Sequence, residues 1–284
     1  MSDYTIRPMT RRDLEVAIAW AAAEGWNPGL EDADCFYAAD PTGFWMGCLD
    51  GVTIAAISVV KYDPQFAFLG FYLVKPEFRG RGYGYRLWQA GLASCPGRVV
   101  GLDGVVAQQA NYLKSGFTLA HRNIRYEGWG RPAAGECPPP VTLTPLDPTG
   151  LAAIVAYDRA FFPGDRAPFM QCWLTRPGGV GVVAWHPDQV AGYGWLRPCQ
   201  TGYKIGPLFA DQPAVAEAIL AALSQQVPPD QPFYLDVPAI NLAAVALAQK
   251  YAMTPQFETA RMYAHGLPPL PTERIFGITT FELG

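Results

Sequence analysis

The chain has 284 residues, half of them apolar and 16% charged, with a formal net charge of −4. That is enough apolar material for one large domain or two of roughly 140 residues. The charge disfavours a nucleic-acid partner, whose binding rests on basic phosphate contacts; no apolar run nears the ~20 residues of a membrane helix. The opening MSDYTIRPMT lacks the apolar stretch of a secretion signal, so a cytoplasmic protein is expected.

TIRPMTRRDLEVAIAWAAAEGW opens the chain as a short strand, a Pro-containing turn and an amphipathic helix. GFWMGCLDG, VTIAAISVVKY and FAFLGFYLV follow as β-rich runs broken by Asp-Gly and Asp-Pro turns. Next comes VKPEFRGRGYG, residues 74–84, which places three glycines and two arginines directly after a buried-type strand. YGYRLWQAGLA behind it is predicted helical, with Leu87, Trp88, Gly91 and Leu92 at three- and four-residue spacing. GLDGVV then reads as a strand, QQANYLKSGF as a helix and TLAHRNIRYEG as a strand.

The stretch GWGRPAAGECPPP, residues 128–140, is rich in Gly, Ala and Pro and reads as a linker. Beyond it the order repeats. VTLTPLDPTGLAAIVAYDRAFF matches the opening strand and helix; GVGVVAWHP, QVAGYGWL and GYKIGPLFA match the three strands. YLDVPAINLAAVALAQKYAMTPQFETARMYAHG echoes GLDGVVAQQANYLKSGFTLAHRNIRYEG, with Leu-Asp before a helix and Tyr near the end of the last strand. Each half is thus strand, helix, three strands, helix, strand, helix, strand, which points to a duplicated α+β unit. The expected units span 1–130 and 138–284. The closing ERIFGITTFELG is strand-like, and its placement stays open.

A glycine loop between a strand end and a helix start brings unpaired N–H groups and the positive end of the helix dipole together, an arrangement suited to phosphate. Arg79 and Arg81 can add charge-assisted contacts. Two readings stand at this point: an anion cradle, or merely a tight turn, the commoner fate of glycine. The dinucleotide fingerprint G-x-G-x-x-G fails because its last position falls on Tyr85, and no Lys-Ser or Lys-Thr completes a P-loop.

Arg79-Gly80-Arg81-Gly82-Tyr83-Gly84 does resemble the [QR]-x-x-G-x-[GA] pyrophosphate loop of the GCN5-related N-acetyltransferases (GNAT). NYLKSGF is similar to that family's Tyr-x-x-x-Gly-Phe passage before its last strand. The resemblance implies two tandem GNAT units, each a mixed, mostly antiparallel twisted sheet flanked by helices. It implies acetyl-CoA as co-substrate and no metal. Main-chain N–H groups near Leu73 and Val74 would polarise the acyl carbonyl and hold the pantetheine arm. Those of Arg79, Gly80, Arg81, Gly82, Tyr83 and Gly84 would hold the pyrophosphate, and a side chain at Gly82 or Gly84 would fill the phosphate's space. Tyr112 falls where many members carry the acid that protonates the leaving thiolate; its competing role is a packed helix tyrosine. The implied partner is a primary amine, expected to be a small molecule, though the sequence does not separate an amino acid, a polyamine, an aminoglycoside and a protein lysine; a homo-oligomer is compatible with the sequence.

Many members place a Glu on the strand before the loop to accept the amine's proton, yet FAFLGFYLV holds no carboxylate. Asp103, Asp236 in the matching place of the second half, and a water relay are the candidates; the aspartates fit turn or capping roles equally, and no base is assigned. The missing carboxylate leaves a second reading open: a non-catalytic acetyl-CoA-binding sensor or partner-binding module. In the second half DQPAVAEAILAAL replaces the glycine loop, with Asp211, Pro213 and Glu217 where a phosphate would need N–H groups. One acetyl-CoA site per chain is therefore expected, with the second half as support or as a wall of the acceptor pocket. Trp20, Trp26, Phe36, Trp45, Tyr72 and Trp173 can line such a pocket or simply form core. The six cysteines, at 35, 48, 95, 137, 172 and 199, show no metal or redox spacing and read as reduced structural thiols; His121, His186 and His265 form no ligand cluster.

Overall fold

The computed structural model describes residues 3–130 and 137–284, so the linker read at 128–140 lies partly outside the described residues. The first half runs β1 (Tyr4–Pro8), α1 (Arg11–Ala23), α2 (Asp32–Ala39), β2 (Phe44–Leu49), β3 (Val52–Lys61) and β4 (Phe66–Val74). It continues with α3 (Tyr83–Ala93), β5 (Val99–Val105), α4 (Gln109–Lys114) and β6 (Thr118–Gly128). The second half repeats this order as β7 (Thr142–Pro145), α5 (Leu151–Asp158), α6 (Ala167–Trp173), β8 (Val180–His186), β9 (Gln189–Pro198) and β10 (Tyr203–Ala210). After these come α7 (Pro213–Ser224), β11 (Phe233–Pro238), α8 (Leu242–Lys250) and β12 (Thr254–Ala264), and the half then adds β13 (Ile275–Gly277). The α+β class and the twofold repetition are as the sequence implies. Each half also holds a second helix, α2 or α6, that the sequence reading passes over.

Local chemistry explains the boundaries. Thr10 caps α1: its hydroxyl accepts from the Asp13 N–H at 3.2 Å, and the Asp13 carboxylate accepts from the Thr10 N–H at 2.8 Å. The helix buries Leu14, Ala17, Ile18 and Ala21, one stripe at helical spacing. Asp50 and Gly51 both take positive φ, as a tight two-residue hairpin between β2 and β3 demands.

The described strands form one 13-stranded sheet in the order β1-β2-β3-β4-β5-β12-β6-β11-β10-β9-β8-β7, with β13 beside β10. The last strands of the two halves are exchanged. β12, from the second half, lies against β5 of the first, and β6, from the first, lies against β11 of the second. A buried ion pair marks each crossing: Asp103 on β5 faces Arg261 on β12, and Asp236 on β11 faces Arg125 on β6. The two aspartates, which the sequence also allowed as turn or capping residues, are equivalent strand residues serving one cross-strand role.

Helices α1, α2, α5 and α6 share one core, where Phe36 stacks on Trp173 with ring centroids 5.9 Å apart. Helix α3 packs on the other face of the first half, and α7 and α8 on that of the second. The expectation of wholly reduced thiols needs correction. Cys35 on α2 and Cys172 on α6, with Cα atoms 5.3 Å apart, form a disulfide between the halves. A separation of 137 residues hid the pairing, because only the packing of the two extra helices brings these positions together. Cys48, Cys95, Cys137 and Cys199 are free thiols.

Candidate active site

Strand β4 pairs in parallel with β5 only from Phe66 to Leu69, opposite Val99 to Leu102. Beyond Leu69 it bends: its register with β3 shifts between Ala56 and Ser58, and Phe71 sits at φ +46°. The strands part, and a cavity of about 500 Å³ opens between residues 69–74 of β4 and 102–105 of β5. The Lys75 N–H donates to the Ile54 carbonyl at 2.9 Å. Backbone donors alternate sides along a strand, so the Leu73 N–H also faces β3 while that of Val74 faces the gap. Of the two residues named from sequence for the acyl arm, Val74 is therefore the one that offers a donor there.

The glycine loop closes one end of the cavity. Gly80 and Gly82 adopt φ +75° and +83°, and a Cβ on either would meet nothing within 4 Å. These glycines serve backbone shape beside open space. Gly84 differs: a Cβ there would come 2.8 Å from Val74 Cγ2 and 2.9 Å from the Tyr72 hydroxyl, so it lets α3 sit close on β4. This corrects the expectation that a bare Gly84 leaves room for phosphate. The first N–H bond at the start of α3 runs from Arg86 to the Gly82 carbonyl at 3.1 Å, leaving the N–H groups of 80–85 outside the helical ladder.

The loop's side chains act mainly as fasteners. Arg79 Nε donates to the Val74 carbonyl at 2.8 Å, and its Nη2 pairs with Glu24 just past the end of α1. Arg81 lies over the Phe78 ring, 5.8 Å from its centroid. The Tyr83 ring packs on Tyr4, whose hydroxyl donates to the Tyr83 carbonyl at 3.0 Å. Leu73, Val74, Arg79, Gly80, Gly82, Gly84 and Tyr112 line the cavity; Arg81 and Tyr83 do not.

Tyr112 projects from α4 across β5. Its ring stacks on Trp88 with centroids 5.6 Å apart and occupies the space a Cβ on Gly104 would need. Burial pushes its phenol well above the ordinary value, and the hydroxyl makes no hydrogen bond among the described residues. Asp103 also lines the cavity, but its carboxylate is occupied: Arg261 holds it at 2.6 and 2.9 Å, and Asn123 Nδ2 donates at 2.8 Å. Asp236 is bound by Arg125 at 2.7 and 2.8 Å and lies off the cavity.

The far wall comes largely from the second half, through residues the sequence did not single out. Phe257 and Thr259 of β12 and Phe281 and Glu282 of the closing segment line it, with Trp26 and Glu24 from the first half. The segment passes so close to β4 that a Cβ on Gly70 would collide with the Glu282 carbonyl oxygen. A lone carboxylate in the apolar run IFGITTFELG was the available signal for Glu282. Of the aromatics named from sequence, Trp26 and Tyr72 reach the cavity, whereas Phe36 and Trp173 are core.

The equivalent place in the second half is closed. β10 pairs with β11 only from Tyr203 to Ile205, and then β13 takes the space, with Gly277 opposite Leu208 and against Leu235 of β11. Asp211, at the head of α7, is tied to Arg274 and to the Tyr157 hydroxyl.

Residues 11–117 match the acetyltransferase (GNAT) family, and residues 154–277 match an acetyltransferase (GNAT) domain. Holothin acyltransferase of Pseudoalteromonas sp. (strain SANK 73390) is 32% identical over 281 residues, 99% of this chain and 95% of that protein. Among solved structures, a Pyrococcus horikoshii protein assigned as an acetyltransferase has a TM-score of 0.82 at 22% identity, covering 99% of this chain and 96% of that one. The tandem GNAT protein from the clavulanic acid biosynthesis pathway has a TM-score of 0.66 at 16% identity, covering 94% and 100% respectively. These structures speak to the fold; the end-to-end identity with the Pseudoalteromonas enzyme speaks to lineage. The chain belongs to the GNAT family of acyltransferases, as a tandem of two GNAT domains.

Proposed function

We propose that the protein is an acetyl-CoA-dependent N-acetyltransferase acting on a small primary amine, with its one donor site in the β4–β5 cleft. The observation behind this reading is the convergence on a single cavity of a parted strand pair, a loop of unpaired N–H groups and the buried phenol of Tyr112. The open space around Gly80 and Gly82 suits a pyrophosphate, which the N–H groups of residues 80–85 would hold. The Val74 N–H would meet the charge that develops on the thioester oxygen, a donor fixed before that charge appears. Bound acetyl-CoA supplies an activated acyl group; Tyr112 supplies the proton that the departing sulfur needs. Holothin, named for the 32% identical relative, is the first acceptor to test.

Calorimetric titration with acetyl-CoA, followed by thiol release with holothin and a panel of primary amines, tests the reading. One site per chain and amine-dependent thiol release are expected. Tyr112→Phe should lower kcat by roughly 10²-fold while leaving acetyl-CoA affinity within about twofold. An absence of binding, or equal turnover by Tyr112→Phe, counts against the donor site or the tyrosine respectively.

A further inference from the structure

Strand β4 brings no carboxylate to the cleft, and Asp103 is spent on Arg261 and Asn123. Two other carboxylates reach the cavity wall: Glu24 is exposed and paired with Arg79 at the glycine-loop end, whereas Glu282 is buried with one oxygen uncommitted. Glu282 is 2% exposed; its Oε2 is held by the Thr280 hydroxyl, and its Oε1 has no hydrogen-bond partner among the described residues. The nearby cations Arg125 and Lys204 act on Glu282 through their charge but place their hydrogen bonds elsewhere. Arg125 spends its guanidinium on Asp236 and on the Trp26 carbonyl at 2.7 Å, and Lys204 Nζ donates to the same carbonyl at 3.2 Å. Thr259 Oγ1, from the same wall, is also buried without a partner among the described residues. A buried carboxylate oxygen left unpaired costs on the order of 1–3 kcal/mol or more, so two orphaned polar atoms in one cavity call for a ligand with hydrogens to give.

We infer that Glu282 is the proton acceptor of the acyl transfer and that the subsite around it takes a primary ammonium on a compact apolar body. The inference rests on the acetyltransfer reading above. Trp26, Phe257 and Phe281 wall this subsite and fit an apolar body better than a polyamine. The Glu282 main chain lies beside Gly70, four residues back along β4 from Val74 or about 13 Å of strand, at the end of the cleft away from the glycine loop.

The step balances. Glu282 Oε1 takes one proton from the ammonium, which frees the nitrogen lone pair. The C–N bond forms as the C–S bond breaks; Tyr112 gives its proton to sulfur, and the nitrogen's surplus proton returns to the tyrosinate. The amide nitrogen keeps one hydrogen, the thiol gains one and Glu282 gains one. An acceptor amine with pKa near 10 arrives charged at neutral pH, so a base in contact with it is required.

The test uses the full chain and its isosteric variant Glu282→Gln, with acetyl-CoA and two amines, 2-phenylethylamine and spermidine, alongside holothin. For Glu282→Gln the expected result is unchanged acetyl-CoA affinity by calorimetry and kcat lowered by roughly 10²-fold or more. Its residual rate should climb with pH toward the amine's own pKa, because only amine that is already neutral reacts. Glu282→Ala should recover rate on addition of formate, and 2-phenylethylamine should outpace spermidine in wild type. A Glu282 that only braces the closing segment would lower thermal stability and leave the pH profile unmoved; that result overturns the assignment, as does wild-type turnover by Glu282→Gln. If wild type binds acetyl-CoA yet acylates no amine, the acceptor class is wrong. If it binds no acetyl-CoA, the donor reading itself falls, which separates the two failures.

Discussion

Glycines 70, 80, 82 and 84 sit within fifteen residues and answer to three different physical demands. Gly80 and Gly82 supply positive φ at a loop beside open space, Gly84 lets a helix approach a strand, and Gly70 lets the closing segment pass. Their substitutions should therefore separate by readout. Gly82→Glu should keep the fold, at a cost of about 1–2 kcal/mol for a side chain in the left-handed region, and lose acetyl-CoA affinity. Gly84→Ala forces a methyl against Val74 and Tyr72 and should cost about 1–3 kcal/mol of stability. Titration calorimetry and thermal unfolding on both variants check this; reversed outcomes would mean that the loop is only a turn. The sequence alone could read the loop, because its spacing is local, but it could not distinguish these reasons. Gly84 looks like its neighbours until the distance to Val74 is known.

The two Arg–Asp pairs act between elements. Each joins a strand of one half to the exchanged strand of the other, and each is buried, with side chains no more than 6% exposed. Removing one partner leaves a buried charge without compensation. Arg125→Leu should therefore cost about 3–5 kcal/mol in denaturant unfolding, and Arg125→Leu with Asp236→Leu should recover much of it. Equal losses in the single and double variants would show that the pair contributes packing and not charge pairing. The repeated Leu-Asp and the Arg before the closing Tyr were visible in both halves of the sequence. Their pairing across halves was not, since β6 and β12 have the same pattern and nothing local says which partner each takes. Helices α2 and α6 escaped for a related reason: at eight and seven residues they offer hardly two turns of periodicity.

For the whole molecule, strand exchange, a shared core of four helices and the Cys35–Cys172 bond make the halves mutually dependent. Calorimetric unfolding of the full chain should give one cooperative transition; two resolved transitions would mean that the halves are independent in spite of the exchange. The order of elements was legible because hydrophobic periodicity and turn residues act locally. A wall from the second half was an open option in the sequence, but its residues were not legible, because Phe257, Thr259, Phe281 and Glu282 lie far along the chain from the glycine loop.

That wall depends on β13. In the second half the parting of β10 and β11 makes the same kind of slot that opens to a cavity in the first, but residues 275–277 fill it. Five residues beyond Gly277 the chain reaches Glu282. The slot is a socket for the chain itself, and the segment that leaves it runs on to the wall of the neighbouring cleft. On the proposed assignment of Glu282, the second domain mounts the first domain's chemistry, and a substitution in the socket, at Leu208, Leu235 or Gly277, should lower turnover without touching the cleft.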